Sequence, residues 1–285
     1  MNRVFSAACA AVLAGAFFWS APAFSDLQFN MSEGVTTSSR DIYALHMQIL
    51  MVCAVIAAGV YAAMIYAIIK FRKSGGATPA KFSHSTAAEI IWTVIPCVIL
   101  VAMAVPAAKT LVRLEDTRNS ELTIKITGYQ WQWQYDYIDH GVSFFSMLDR
   151  ESNATRQPGS GRDPFDVENY LLEVNNRVVV PVDTKVRLLV TAADVIHSWW
   201  MPAFGVKKDA IPGFVNEAWF EATETGVFRG QCAELCGMDH GFMPIVVEVV
   251  TREAFGDWLV EHGATNPAFS ERQSEDSDLR TAFNE

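Results

Sequence analysis

The chain has 285 residues, 22 Lys+Arg against 32 Asp+Glu for a formal net charge of −10, and 51% hydrophobic residues. That length holds one ordinary domain plus additional elements. The acidic balance argues against a nucleic-acid partner and favours a basic one, because long-range fields steer oppositely charged surfaces together.

Residues 1–25 have the layout of a secretory signal peptide: Arg3 at the start, an apolar stretch at 7–19, and small residues at Ala21 and Ala23 or at Ala23 and Ser25 suited to cleavage. Cys9 leaves with this segment. Two charge-free apolar runs follow, 49–69 and 90–108. Each is close to the ~20 residues that cross a bilayer as a helix. The connecting stretch carries Lys70, Arg72, Lys73 and Lys81, with no acid before Glu89, so it is expected on the cytoplasmic side. This predicts a transmembrane hairpin over 26–111, with helices at about 43–70 and 88–110 and a basic loop at 70–88. Pro96 and Pro106 are tolerable in a membrane helix, and Cys53 and Cys97 read as small packing residues. Thr86-Ala-Ala-Glu89 has the spacing of a capping box, in which the glutamate reaches back to the first amide.

From 112 to 262 the pattern changes to short β-branched and aromatic segments. Strands are expected at 122–127, 171–174, 178–180, 186–191, 217–222, 227–231 and 245–250. Tyr129, Trp131, Trp133, Tyr135 and Tyr137 recur at period two, which puts all five on one face of a single strand. Short strands at this spacing suggest a Greek-key β-sandwich. Residues 149–169, rich in Gly, Ser, Pro and charge, read as a surface loop, 251–262 as a closing amphipathic helix, and 263–285 as an acidic, mobile tail. From 111 onwards there are 15 Lys+Arg against 28 Asp+Glu, a net of −13, so the acidity is concentrated in the exported part.

The chemistry lies in CAELCGMDHGFM at 232–243, with a further imidazole at His197. Cys232, Cys236, His240 and Met243 fall in one loop. Soft thiolate and thioether donors with imidazole select copper, whereas Met is a poor zinc ligand. A Cys232–Cys236 disulfide and a Cys₂His₂ zinc site are the alternatives. A single blue copper leaves the second thiol unused; two bridging thiolates suit two ions. His46, His84, His140 and His262 lack such context and read as ordinary surface or interfacial histidines.

The loop CAELCGMDHGFMPIVVE (232–248), together with GYQWQWQY (128–135), NRVVVP (176–181), DVIHSW (194–199) and KDAIPG (208–213), resembles subunit II of cytochrome c oxidase, the haem–copper terminal oxidase. The likeness runs from about 40 to 260, in the family's order. It implies an α+β membrane protein, a two-helix transmembrane hairpin followed by an all-β, cupredoxin-like Greek-key sandwich. It also implies a binuclear copper centre (copper A): Cys232 and Cys236 bridging, one imidazole from His197 and one from His240, and Met243 and the Glu234 carbonyl as weak outer ligands. The Glu234 side chain is expected on a magnesium or manganese ion shared with subunit I. Trp131 is expected to receive the electron, with Trp133 as support between it and the copper loop. Gln132 stands where many relatives carry an aromatic, which leaves the detailed docking surface open. Glu89 matches the mouth of a proton path into subunit I. Asp136, Asp194 and Asp209 are candidates for docking.

The function implied is the electron-input subunit of a cytochrome c oxidase, accepting electrons from cytochrome c and passing them to the haem centres of subunit I, where O₂ becomes water and protons are translocated. Subunit I, subunit III, cytochrome c and membrane lipid are the implied partners, in a bacterial inner membrane with the copper domain on the periplasmic side. The chain contains no C-x-x-C-H haem attachment site, so the electron donor is a separate protein. A tethered copper carrier, a structural disulfide module and a nitrous oxide reductase copper domain are the rival readings.

Overall fold

The computed structural model describes residues 30–266, apart from 77, 79, 80 and 82. The expected leader and most of the expected tail lie outside the described residues. Helix α1 spans Thr37–Lys70 and helix α2 spans Thr86–Leu114. Both are long and apolar enough to cross a membrane. At ~1.5 Å per residue each exceeds the ~30 Å hydrocarbon thickness by two or more turns. They also extend beyond the apolar runs, because polar contacts hold the extra turns. At the start of α1, Thr36 accepts from the Ser39 amide at 2.9 Å while Ser39 Oγ accepts from the Thr36 amide at 3.0 Å. Arg113 of α2 pairs with Asp41 of α1, and Arg40 reaches Glu224 at 3.0 Å. Along both helices many apolar side chains, Cys53 and Cys97 included, face outward, while others such as Leu45, Ile49 and Met103 are half-buried. A bilayer or neighbouring subunit would cover such a surface.

The remainder is a sandwich of two five-stranded sheets. One contains, in spatial order, β3 (Val142–Ser146), β2 (Gln132–Tyr137), β1 (Leu122–Tyr129), β5 (Lys185–Ala192) and β8 (Asn216–Glu221). The other contains β4 (Val178–Pro181), β10 (Pro244–Val250), β9 (Gly226–Cys232), β6 (His197–Met201) and β7 (Val206–Ala210). The chain passes repeatedly between sheets, so β1 lies parallel to β5 and β4 parallel to β10, the non-local pairing of a Greek key. Period-two patterning drives the layering: Val186, Leu188, Val190 and Ala192 of β5 are buried, and the residues between them are not. Their core partners across the sandwich include Trp199, Met201, Val247 and Val249.

Two short helices complete the domain. α3 (Arg150–Thr155) lies inside the expected loop, started by Asp149 accepting from the amides of Glu151 and Ser152. α4 (Arg252–Glu261) closes one end, with Phe255 and Leu259 buried against the core. Before β1, Lys185 Nζ holds the carbonyls of Asp116 and Arg118 at 2.8 and 2.7 Å, and Trp219 Nε1 donates to the Arg113 carbonyl at 3.3 Å. The end of α2 is thus fastened to β5 and β8.

Three expectations are corrected. The aromatic row is not one strand: β1 ends at Tyr129, the chain turns at Gln130 and Trp131, and only Trp133, Tyr135 and Tyr137 share the buried face of β2. No Gly, Pro, Asn or Asp marks that turn, so period two ran through it unbroken. Residues 171–174 form no strand: Leu171 lies at φ +62°, and the segment's β-pairing is the isolated Leu148–Val174 bridge. Strands β3, β6 and β7 were not expected. β7 reads Val-Lys-Lys-Asp-Ala, a charged edge strand with little apolar signal, and β6 is cut short by Pro202.

Candidate metal centre

Three strand ends meet at one end of the second sheet. His197 opens β6, Cys232 closes the antiparallel β9, and Pro244 opens β10. The β6–β9 ladder pairs Trp199 with Cys232, and β9–β10 pairs Gln231 with Pro244. The intervening loop, 233–243, therefore leaves and returns beside His197. Cys232, Cys236, Met243 and His197 are all buried.

The two thiols are free and their sulfurs stand 3.9 Å apart, well beyond the ~2.05 Å of a disulfide. Each is flanked by one imidazole and one weak donor. Cys232 Sγ lies 4.0 Å from His197 Nδ1 and 3.4 Å from the Glu234 carbonyl. Cys236 Sγ lies 3.6 Å from His240 Nδ1 and 3.5 Å from Met243 Sδ. His197, Cys232 and Cys236 bring their donor atoms within 4.8 Å of one another, a cluster able to hold a metal ion. His240 and Met243 join through Cys236. The result is two matching half-sites sharing a thiol pair, a donor set that fits soft copper and exceeds the four donors one tetrahedral ion uses.

Asp194 fixes the first imidazole. Its Oδ1 accepts from His197 Nε2 at 2.9 Å and from the Val195 amide at 2.6 Å, while Oδ2 accepts from the Gln130 amide at 2.8 Å. With Nε2 committed to a carboxylate, the Nδ1 lone pair faces the sulfurs. Burial opposes charge on the Cys232 thiol, but hydrogen bonds from His197, the Ser198 and Glu234 backbone and His240 outweigh it and bring the thiol to about 7. Burial, with the adjacent Cys232 charge, pushes the Cys236 thiol up to about 12. With both thiols ionised, such a buried pair would need a cation against it.

The turn of the β1–β2 hairpin lies over this loop. Gln130 Nε2 donates to the Cys236 carbonyl at 2.8 Å. Trp131 is half-buried, and its ring lies so close to Gly237 that a Cβ there would meet Cζ2 at 3.2 Å; Gly237 also has φ +122°. Trp133 is fully buried, its ring 5.9 Å from that of His197 and its Nε1 3.4 Å from the Met243 carbonyl. Beneath His197, Gly128 leaves the room the imidazole occupies.

The other expected residues divide. The Glu234 side chain is exposed at the rim. Glu89 forms no capping box: Ser85 is the N-cap, so Glu89 falls one residue beyond the position that reaches back, and its carboxylate is exposed. Asp136 is bound to Ser143 and Gln134 on the outer face of β2, and Asp209 is exposed on β7. His46, His84, His140 and His262 stand apart from the cluster; His140 is buried, not superficial, with Nδ1 2.6 Å from the Asn266 carbonyl. Sequence reasoning assigned Asp194 to docking and passed over Gln130, Gly128 and Gly237. An Asp three residues before a candidate metal-binding His was the available signal for the first; the others are visible only once the hairpin is folded.

Two family descriptions match: "Cytochrome C oxidase subunit II, transmembrane domain" over residues 25–110 and "Cytochrome C oxidase subunit II, periplasmic domain" over residues 122–250. A probable cytochrome c oxidase subunit 2 of Rickettsia bellii is 44% identical over 220 residues, covering 77% of this chain and 78% of that one. The cytochrome c oxidase subunit 2 of Cereibacter sphaeroides is 40% identical over 225 residues, covering 74% and 72%. Among solved structures, the periplasmic domain of subunit II of the Bradyrhizobium japonicum cytochrome oxidase is 46% identical, covering 51% of this chain and 96% of that one at a TM-score of 0.44. By the extent and identity of these sequence matches, the chain belongs to the cytochrome c oxidase subunit II family.

Proposed function

We propose that this chain is the electron-input subunit of a cytochrome c oxidase, taking electrons from cytochrome c and delivering them to the haem centres of subunit I, where O₂ reduction to water is coupled to proton translocation. The observation that carries this reading is the pair of half-sites built on Cys232 and Cys236, each thiol with its own imidazole and its own weak donor. Two copper ions held there would share one electron between them, halving the charge change at each ion.

The residues around the pair have separable tasks. Cys232, Cys236 and the Nδ1 atoms of His197 and His240 would hold the two ions, with Met243 and the Glu234 carbonyl as the weaker donors. Asp194 holds the His197 tautomer, and Trp133 excludes water from the side of the core. Trp131, half-buried at the surface and in contact with Gly237 of the ligand loop, is the receiving ring for the donor. The net charge of −13 from 111 onwards suits a basic cytochrome. The exposed Glu234 carboxylate is available to a magnesium or manganese ion completed by subunit I. Glu89, without a capping role and exposed at the start of α2, is free to serve at the mouth of a proton path.

The same reading divides the chain into a leader at 1–25, a transmembrane hairpin at 26–111, a copper domain at 112–262 and a tail at 263–285. It puts the copper domain on the periplasmic face of a bacterial inner membrane, beside subunits I and III. The test is the copper content and spectrum of the full chain purified in detergent. Two coppers per chain with a delocalised mixed-valence EPR signal are expected; one labile copper, or none with the thiols oxidised together, overturns the reading in favour of a carrier or a structural module.

A further inference from the structure

The ligand loop is gripped from outside by the segment inserted between β3 and β4. Arg156, just past α3, approaches Asp239 with both ends of its guanidinium, Nη1 to Oδ1 and Nη2 to Oδ2, each at 3.3 Å. The same guanidinium lies over the Phe242 ring, 4.2 Å from its centre. Both members of the ion pair are largely buried, with side-chain exposures of 21% and 24%. Asp239 and Phe242 bracket His240, and Met243 follows directly.

Two details set this contact apart from a chance surface pair. Asp239 begins the short turn His240–Phe242, where an aspartate ordinarily folds back on the first amides; here it makes no such bond and extends to Arg156. Arg156 is itself held, its Nε donating to Asn153 Oδ1 at 2.8 Å, and Ser152 Oγ of α3 accepts from the Leu171 amide at 3.2 Å. A planar guanidinium can face a carboxylate with two parallel N–H groups and present its flat side to a ring simultaneously; an ammonium cannot.

We infer that Arg156 is a positioning residue, through which the 149–169 insertion sets where His240 and Met243 stand relative to Cys236. The inference rests on the reading of 232–243 as the metal-binding loop. His197 and Cys232 belong to strands, so only the loop half of the site depends on this grip.

The test compares the full-length chain with its R156A, R156K and F242L variants and with R162A, a change in the same insertion away from the loop. Amide hydrogen exchange is measured on metal-free protein, and visible and EPR spectra and copper loss to a chelator on loaded protein. R156A is expected to raise exchange over 237–243 about tenfold while leaving β1 and β5 unchanged, to alter the copper spectrum, and to speed copper loss by a similar factor. R156K and F242L fall between R156A and the parent, and R162A matches the parent. If R156A fails to fold, F242L alone decides the matter by the same readouts. Unchanged exchange over 237–243 with an unchanged spectrum overturns the inference. A parent chain that takes up no copper overturns the functional reading instead, and the exchange measurement still decides whether the grip exists.

Discussion

Replacing Gly128 by alanine displaces a candidate ligand without removing any donor. A Cβ at 128 would stand 2.8 Å from His197 Cδ2, 3.0 Å from Cγ and 3.2 Å from Cβ. Carbon atoms rest at ~3.5–4.0 Å, so the ring or the strand must yield by roughly 0.7 Å or more. The strand is poorly placed to do so: Gly128 is paired with Trp133 on one side and Ala192 on the other, and its carbonyl accepts from the Ala193 amide at 3.0 Å. The imidazole must move, disturbing its contacts with Trp133 and Asp194. Overpacking of this kind costs about 1–3 kcal/mol, which for a domain of this size lowers Tm by roughly 2–12 °C. Metal–ligand distances tolerate only ~0.2 Å, so the effect on copper should be disproportionate. G128A is expected to fold, to melt a few degrees lower, and to show weakened copper retention and altered EPR hyperfine structure. G241A is the control, since a Cβ there meets nothing within 4 Å. Full copper retention with an unchanged spectrum in G128A would refute the placement of His197 in the centre.

D194N keeps the shape but loses the negative acceptor for His197 Nε2; copper affinity should fall about 10- to 100-fold by competitive chelation, with little change in the far-UV CD spectrum. W131L should slow electron uptake from reduced cytochrome c by an order of magnitude or more in stopped-flow mixing, while the copper spectrum stays that of the parent. Burial works against the Glu173 carboxylate, but hydrogen bonds from Arg177 and Arg229 outweigh it and hold it below the ordinary carboxylate range. Its contribution is therefore full above the unfolded-state value and lost as pH falls through the lower folded-state value. E173Q should cost about 2 kcal/mol at pH 7, and the gap between variant and parent should narrow as acidification passes through the lowered folded-state value. A gap in denaturant midpoint independent of pH would count against that ion-pair network.

What could be read from the sequence follows the range of the interactions involved. The two membrane helices are local facts, since a charge-free run of the right length announces itself, and only their capped polar ends were missed. Strands with clean alternation, such as 186–191, were also legible. The Tyr129–Tyr137 row misled because alternation continues through a turn that has no turn residue. β7 was hidden because an edge strand of this protein carries Lys207, Lys208 and Asp209, and charge at an edge is what keeps it from pairing elsewhere. The candidate donors stood out because their chemistry is rare: two Cys, a His and a Met in one loop have few other uses. The residues that hold those donors did not, because Asp and Gln are common and their roles exist only after β1, β2 and β6 have come together.

That difference also explains how the candidate site is built. His197 and Cys232 project from neighbouring strands of a closed ladder, where position is set by backbone pairing and by core residues such as Trp199, paired with Cys232 across that ladder. Cys236, His240 and Met243 come from a loop with no ladder of its own. The loop is fixed instead from three directions: Gln130 on the Cys236 carbonyl, the Trp131 ring against Gly237, and Arg156 on Asp239 and Phe242. Two of those contacts come from the β1–β2 hairpin turn, which carries the half-buried Trp131. A protein docking on that turn therefore presses on the segment that positions Cys236. The Trp131 ring and the loop-borne half of the site are mechanically one unit, while the strand-borne half stays fixed to the sandwich.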